Sequence, residues 1–135
     1  MKAERVTIFT DGTSLHNPGP SAIGAIIKDQ QGKTLSRISQ EIGNATNNQA
    51  EYRAIIAALE EAIRLGARYV ELNSDSELVV RQLAGRYRVK NAALKPLHQQ
   101  VKKLQSYLGS LTINHIPREQ NREADSLANM ALKLG

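Results

Sequence analysis

Arg5-Val-Thr-Ile-Phe-Thr10, followed at once by Asp11-Gly12, is the stretch on which the fold turns. β-Branched and aromatic residues favour an extended strand, and Asp-Gly is a turn signal, so a strand that ends at an acid is expected. Downstream, a loop punctuated by Asn17-Pro-Gly-Pro20 leads into a second strand-like run, Ala22–Ile27. Asp29-Gln-Gln-Gly32 reads as a hairpin turn, and Lys33–Ile42 as a third strand. The chain thus opens with three antiparallel strands.

Helices then take over. Asn47 or Asn48 can cap a helix whose first turns carry Glu51. Ala54, Ala58 and Ala62 share one face, flanked by Ile55, Leu59 and Ile63, and Leu65-Gly66 ends the helix. Tyr69–Asn73 is a fourth strand with Ser74-Asp75 at its exit. Glu77–Leu83 is a short helix closed near Gly85. In Ala92–Leu108 the residues Leu94, Leu97, Val101, Leu104 and Leu108 step by three and four, as on an amphipathic helix. Leu111–Ile116 is a fifth strand, Pro117–Asn121 a loop, and Arg122–Leu134 a last helix. The order β-β-β-α-β-α-α-β-α predicts an α/β domain over 1–135, with a mixed sheet and helices on both faces.

Composition narrows the function. The 135 residues suffice for one domain with its own core. There is no cysteine, which excludes disulfide scaffolds and cysteine-based zinc sites and fits a reducing compartment. Met1-Lys-Ala-Glu-Arg5 runs directly into the first strand, and no apolar run suits a signal peptide or a membrane span. A soluble, cytoplasmic protein with no membrane partner and no obligate protein partner is expected. The formal net charge of +5 favours an anionic partner, nucleic acid first among them.

Four acids stand out by placement. Asp11 and Asp75 end strands, whereas Glu51 and Asp125 sit in the first turns of helices. Sites in open α/β sheets form beyond the carboxyl ends of the strands, so these acids converge if strands one and four are neighbours. Singly, each has an ordinary role as a turn former or a helix-dipole partner. Together they repel unless protonated or neutralised by cations, and hard divalent ions such as Mg²⁺ or Mn²⁺ suit carboxylate oxygen. Two such ions, about 3.5–4 Å apart, clamp the attacking and leaving oxygens of a phosphodiester.

The local sequences sharpen this. Phe9-Thr-Asp-Gly-Thr-Ser14 with Asn17-Pro-Gly-Pro20, Thr46-Asn-Asn-Gln-Ala-Glu51, Asn73-Ser-Asp-Ser76 and Asn121-Arg-Glu-Ala-Asp-Ser-Leu-Ala128 resemble, in order, the four motifs of type 1 ribonuclease H. The resemblance spans residues 9–128. It implies a ribonuclease H-like fold, a five-stranded sheet in the order 3-2-1-4-5. It also implies hydrolysis of the RNA strand of RNA–DNA hybrids with two Mg²⁺ ions, Mn²⁺ being a substitute, leaving 5′-phosphate and 3′-hydroxyl ends. Asp11 would bridge both ions, Asp125 would complete the ion that activates water, and Glu51 and Asp75 the ion facing the leaving group. Asn17 and Asn47 match positions that read the minor groove of the hybrid, and Thr46 a contact to DNA phosphate.

The chain also departs from the family's pattern. Relatives often carry a mobile histidine before the last acid; counting back reaches His115, which lies within a strand-like run. Arg118, in the short loop Pro117–Asn121, ranks above it as the auxiliary basic group. Arginine keeps its proton at neutral pH, so its help would be electrostatic. Glu77 stands where some relatives carry glutamine. The basic segment Gly85-Arg-Tyr-Arg-Val-Lys90, with Lys95 beyond, is a shortened form of a longer extension. The resemblance is to the compact bacterial and archaeal branch, for which no hybrid-binding domain before the motifs is expected. Gly12-Thr13 after Asp11 argues against proofreading-type exonucleases, which resemble Asp-x-Glu, and Asp125 argues against transposase-like enzymes, which end on glutamate. The alternative from another class is a catalytically silent module of the same fold that only binds nucleic acid.

Overall fold

Strand β1, Arg5–Ser14, runs down the centre of the sheet in the computed structural model, which describes residues 4–134. Met1-Lys-Ala3 and Gly135 lie outside the described residues. The other elements are β2 (Gly19–Lys28), β3 (Thr34–Ala45), α1 (Asn47–Arg64), β4 (Tyr69–Ser74), α2 (Glu77–Leu83), α3 (Lys95–Gln105), β5 (Ser110–His115) and α4 (Arg122–Leu134). The sheet order is β3-β2-β1-β4-β5, with β1, β2 and β3 antiparallel and β1, β4 and β5 parallel, as expected.

β1 is longer than its sequence predicts. Asp11-Gly12 is strand, not turn: the antiparallel ladder with β2 continues to Ser14↔Ser21. The parallel ladder with β4 stops at Thr10↔Ser74. Asp11 is therefore the first residue of β1 to lose its parallel neighbour, where the sheet opens beside Asp75.

The two glycines of this region show how the helices sit. The Cβ position of Gly12 points into the backbone of Ala50 and Glu51 in α1, and that of Gly24 into the backbone of Ala124 and Ala128 in α4. Gly24 pairs with Asp11, the residue next to Gly12, and neighbouring residues of a strand face opposite ways. Thus α1 covers one face of the sheet and α4 the other. The larger core lies under α1, where Ile55, Leu59 and Ala62 meet Val6, Ile8, Ile27 and Leu72, with Val101 of α3 and Val79 of α2 closing it. Each large aliphatic buried there contributes about 1.5–3 kcal/mol before entropy is set against it.

Two boundaries differ from expectation for local reasons. Thr46, not Asn47 or Asn48, caps α1: its hydroxyl accepts from the Gln49 amide, and the Gln49 side chain accepts from the Thr46 amide. α3 begins at Lys95 rather than Ala92, because the Asn91 side chain takes the amides of Ala93 and Leu94 into a turn. The loop after β5 contains a short 3₁₀ turn, Arg118–Gln120. No described helix is long and apolar enough to cross a membrane.

Candidate active site

Asp11, Glu51 and Asp75 converge where β1 and β4 part: each offers a carboxylate oxygen, and these oxygens lie within 4.8 Å of one another. Asp11 and Glu51 are buried, at 6% and 8% exposed, and Asp75 is half-buried. Glu51 reaches the sheet because Gly12 has no side chain. A Cβ there would overlap the α1 backbone, so only glycine lets the helix close in. The same residue then uses its amide, which donates to Glu51 Oε1 at 2.6 Å.

Asp75 follows β4 in a turn closed by Ser74 Oγ, which accepts from the Ser76 amide, and Ser76 caps α2. Asn121 donates its Nδ2 to the Thr10 carbonyl at 2.8 Å and to Asp75 Oδ2 at 3.3 Å. Asp125, on the first turn of α4, stands outside the group of three, and its carboxyl helps raise that of Asp11.

The electrostatics follow from this crowding. Burial pushes the Asp11 carboxyl up to about 8, and the Asp75 charge and the Asp125 carboxyl push the same way, while the Arg118 charge opposes them. Glu51 is raised well above the usual carboxylate range, first by burial, then by the Asp11 and Asp75 charges, against the Gly12 amide. A cluster that resists its own ionisation is a cluster that favours a cation.

Among the basic candidates, Arg118 bears on Asp11 from the 3₁₀ turn. His115 is exposed at the last position of β5, in register with Ser74. Asn17, Thr46 and Asn47 are brought together away from the acids' centre: Asn17 Oδ1 accepts from the Asn47 amide at 3.0 Å, one helical turn before Glu51. Glu77 is paired with Arg81 at 2.9 Å, and Arg81 in turn lies over the Tyr87 ring, 5.4 Å from its centroid. This chain of contacts ties the basic segment after α2 to the helix that follows Asp75.

The sequence motifs did not expose the part played by Gly12, Gly24 and Asn121. Asn121 carried a signal, an asparagine immediately before a helix, but that signal points to capping, which its side chain does not perform. A cavity of about 260 Å³ between Arg5, Tyr69 and Thr112 opens at the opposite end of the sheet, away from the convergent acids.

Comparison with known proteins bears on this geometry. A family model described as reverse transcriptase-like matches residues 9–131. A bifunctional protein of Mycobacterium tuberculosis is 43% identical over 129 residues, 95% of this chain and 35% of that protein. Ribonuclease HI of Halobacterium salinarum is 41% identical over 128 residues, 95% of this chain and 64% of that protein. The chain therefore spans between about a third and two-thirds of these relatives. The crystal structure of RNase H1 from the same archaeon matches with a TM-score of 0.95 and 40% identity, over 97% of this chain and 99% of that one. A compost-derived RNase H1 in complex with an RNA/DNA hybrid matches with a TM-score of 0.91 and 42% identity, over 96% of this chain and 97% of that one. Similarity of this degree, running through the whole sheet and across all four acid-bearing segments, settles the assignment: the chain belongs to the type 1 ribonuclease H family.

Proposed function

We propose that the chain is a metal-dependent endonuclease that hydrolyses the RNA strand of RNA–DNA hybrids, leaving 5′-phosphate and 3′-hydroxyl ends. The observation that carries this is the convergence of the Asp11, Glu51 and Asp75 carboxylates within 4.8 Å of one another, with Asp125 bearing on Asp11 from α4. The donor set fits hard divalent ions, Mg²⁺ first and Mn²⁺ as a substitute. It consists of carboxylate oxygens, and their mutual repulsion is what a cation relieves. Asp11, Glu51 and Asp75 would hold one ion, and Asp11 with Asp125 the other. Two bound ions supply a nucleophilic water and stabilise the departing oxygen.

The chain's own residues do the rest. The Gly12 amide fixes the Glu51 carboxylate, and Asn121 restrains that of Asp75. Arg118 brings a permanent positive charge to the edge of the cluster, where it favours an approaching phosphate without moving a proton. Thr46, Asn47 and Asn17 form one polar surface beside α1; the two asparagines suit the minor groove, whose 2′-hydroxyls distinguish RNA, and Thr46 a DNA phosphate. Arg86, Arg88, Lys90 and Lys95 are exposed and suit contact with a phosphate strand. A neighbour solved with an RNA/DNA hybrid supports the substrate assignment.

The test is cleavage of a labelled hybrid by the purified protein. Cutting of the RNA strand with Mg²⁺ or Mn²⁺, its loss in EDTA, and its loss in Asp11→Asn with the fold intact are expected. Equal cutting by wild type and Asp11→Asn, free of contaminating nuclease, sinks the mechanism. Metal-dependent hybrid binding without cutting identifies the silent module instead.

A further inference from the structure

We propose that Asn121 is a positioning residue for the carboxylate cluster: its side chain holds Asp75 and the strand end that carries Asp11, and its backbone carbonyl holds the helix turn that carries Asp125. The proposal rests on the metal-dependent function above and assigns a residue outside the carboxylates to it.

Asn121 immediately precedes α4, and its carbonyl accepts from the Asp125 amide at 3.1 Å, as a helix cap should. An asparagine cap ordinarily turns Oδ1 to accept a second amide of the first turn. Here Oδ1 has no partner, although the residue is only 1% exposed. The carboxamide has instead turned its Nδ2 inward, to the Thr10 carbonyl and Asp75 Oδ2. A buried acceptor left unpaired works against stability, and such exceptions to local rules gather at functional sites.

The chemistry of the donor explains the arrangement. A neutral amide can orient one carboxylate oxygen without neutralising it, leaving the group's charge and its other lone pairs for a cation. Lysine or arginine at this place would compete with the ion. Asn121 reaches Asp75 directly, Asp11 through the carbonyl of the adjoining Thr10, and Asp125 through the first turn of α4. Glu51 alone is held separately, by Gly12.

The experiment uses the full chain and three readouts: Mn²⁺ binding by calorimetry without nucleic acid, kcat and KM on a hybrid, and the thermal midpoint by circular dichroism. Asn121→Leu keeps the branched shape and removes the donor without adding a charge to the cluster. It is expected to lower kcat about 10–100-fold, the range for groups that orient metal ligands. KM stays within about twofold, because a buried group does not touch the duplex. Tm should stay within a few degrees, because the unpaired buried Oδ1 is lost together with the donor. Asn121→Ala is expected to weaken Mn²⁺ binding about tenfold. Wild-type kcat in Asn121→Leu together with wild-type Mn²⁺ affinity in Asn121→Ala makes Asn121 a packing residue only and overturns the proposal while leaving the function standing. If Asn121→Ala does not fold, kcat of Asn121→Leu decides. A wild type that neither binds Mn²⁺ nor cuts the hybrid overturns the function first, and this proposal with it.

Discussion

Asp11→Asn should stabilise the metal-free protein at neutral and alkaline pH while abolishing its chemistry. In the folded chain the Asp11 carboxyl is pushed from 3.8 up to about 8 by burial and by its neighbours. A folded-state value above the unfolded one means that the folded protein binds more protons between those limits. Stability therefore falls as pH rises from about 4 to about 8, and the full loss is present above that window. At about 1.4 kcal/mol per tenfold change in proton affinity, the ceiling on that loss is about 6 kcal/mol. Relaxation and water entering the crevice reduce it to about 2–4 kcal/mol. Asparagine preserves the shape and removes the charge, both from its own site and from the surroundings of Glu51. Urea unfolding in EDTA at pH 5, 7 and 9 measures the difference. The wild type should lose stability steadily across the series, and Asp11→Asn should lose much less. Added Mn²⁺ should recover the wild type at pH 9 more than the variant. Identical pH slopes for the two proteins in EDTA would refute the claim that the folded surroundings of Asp11 resist its ionisation.

Three further outcomes follow from the same contacts. Gly12→Ala places a Cβ against the α1 backbone, so it should cost about 1–3 kcal/mol by overpacking, measured by urea midpoint. It should also lower kcat by about a hundredfold, because Glu51 is displaced. Thr46→Ala removes the capping box of α1 and should cost about 1 kcal/mol, whereas Thr46→Ser should cost little. Arg118→Ala should lower kcat by about tenfold in steady-state cleavage assays, with His115→Ala within about twofold of wild type. The reverse ranking would make His115 the auxiliary group.

The elements were legible because each is written in its own segment. The steps of Leu94, Leu97 and Val101 specify a buried helical face wherever the helix lies, and all three do pack into or against the core. The four acids were legible because the motifs around them are contiguous. The cap of α1 was misassigned because two asparagines sit beside Thr46, and only the reciprocal bond to Gln49 selects among them. The end of β1 was misplaced because Asp-Gly is a local turn signal, whereas the strand is continued by β2, a partner further along the chain.

What the sequence by itself determined is the class, the order of elements, the family and the four candidate acids. These depend on periodicity and short motifs, which need no partner. Only the tertiary structure decided that Gly12 and Gly24 admit helices from opposite faces and that Asn121 turns from capping to Asp75. The bond from Asn121 to Thr10 spans 111 residues. Distances across such separations are set by strand register and by how closely backbones can approach, and no local pattern encodes them.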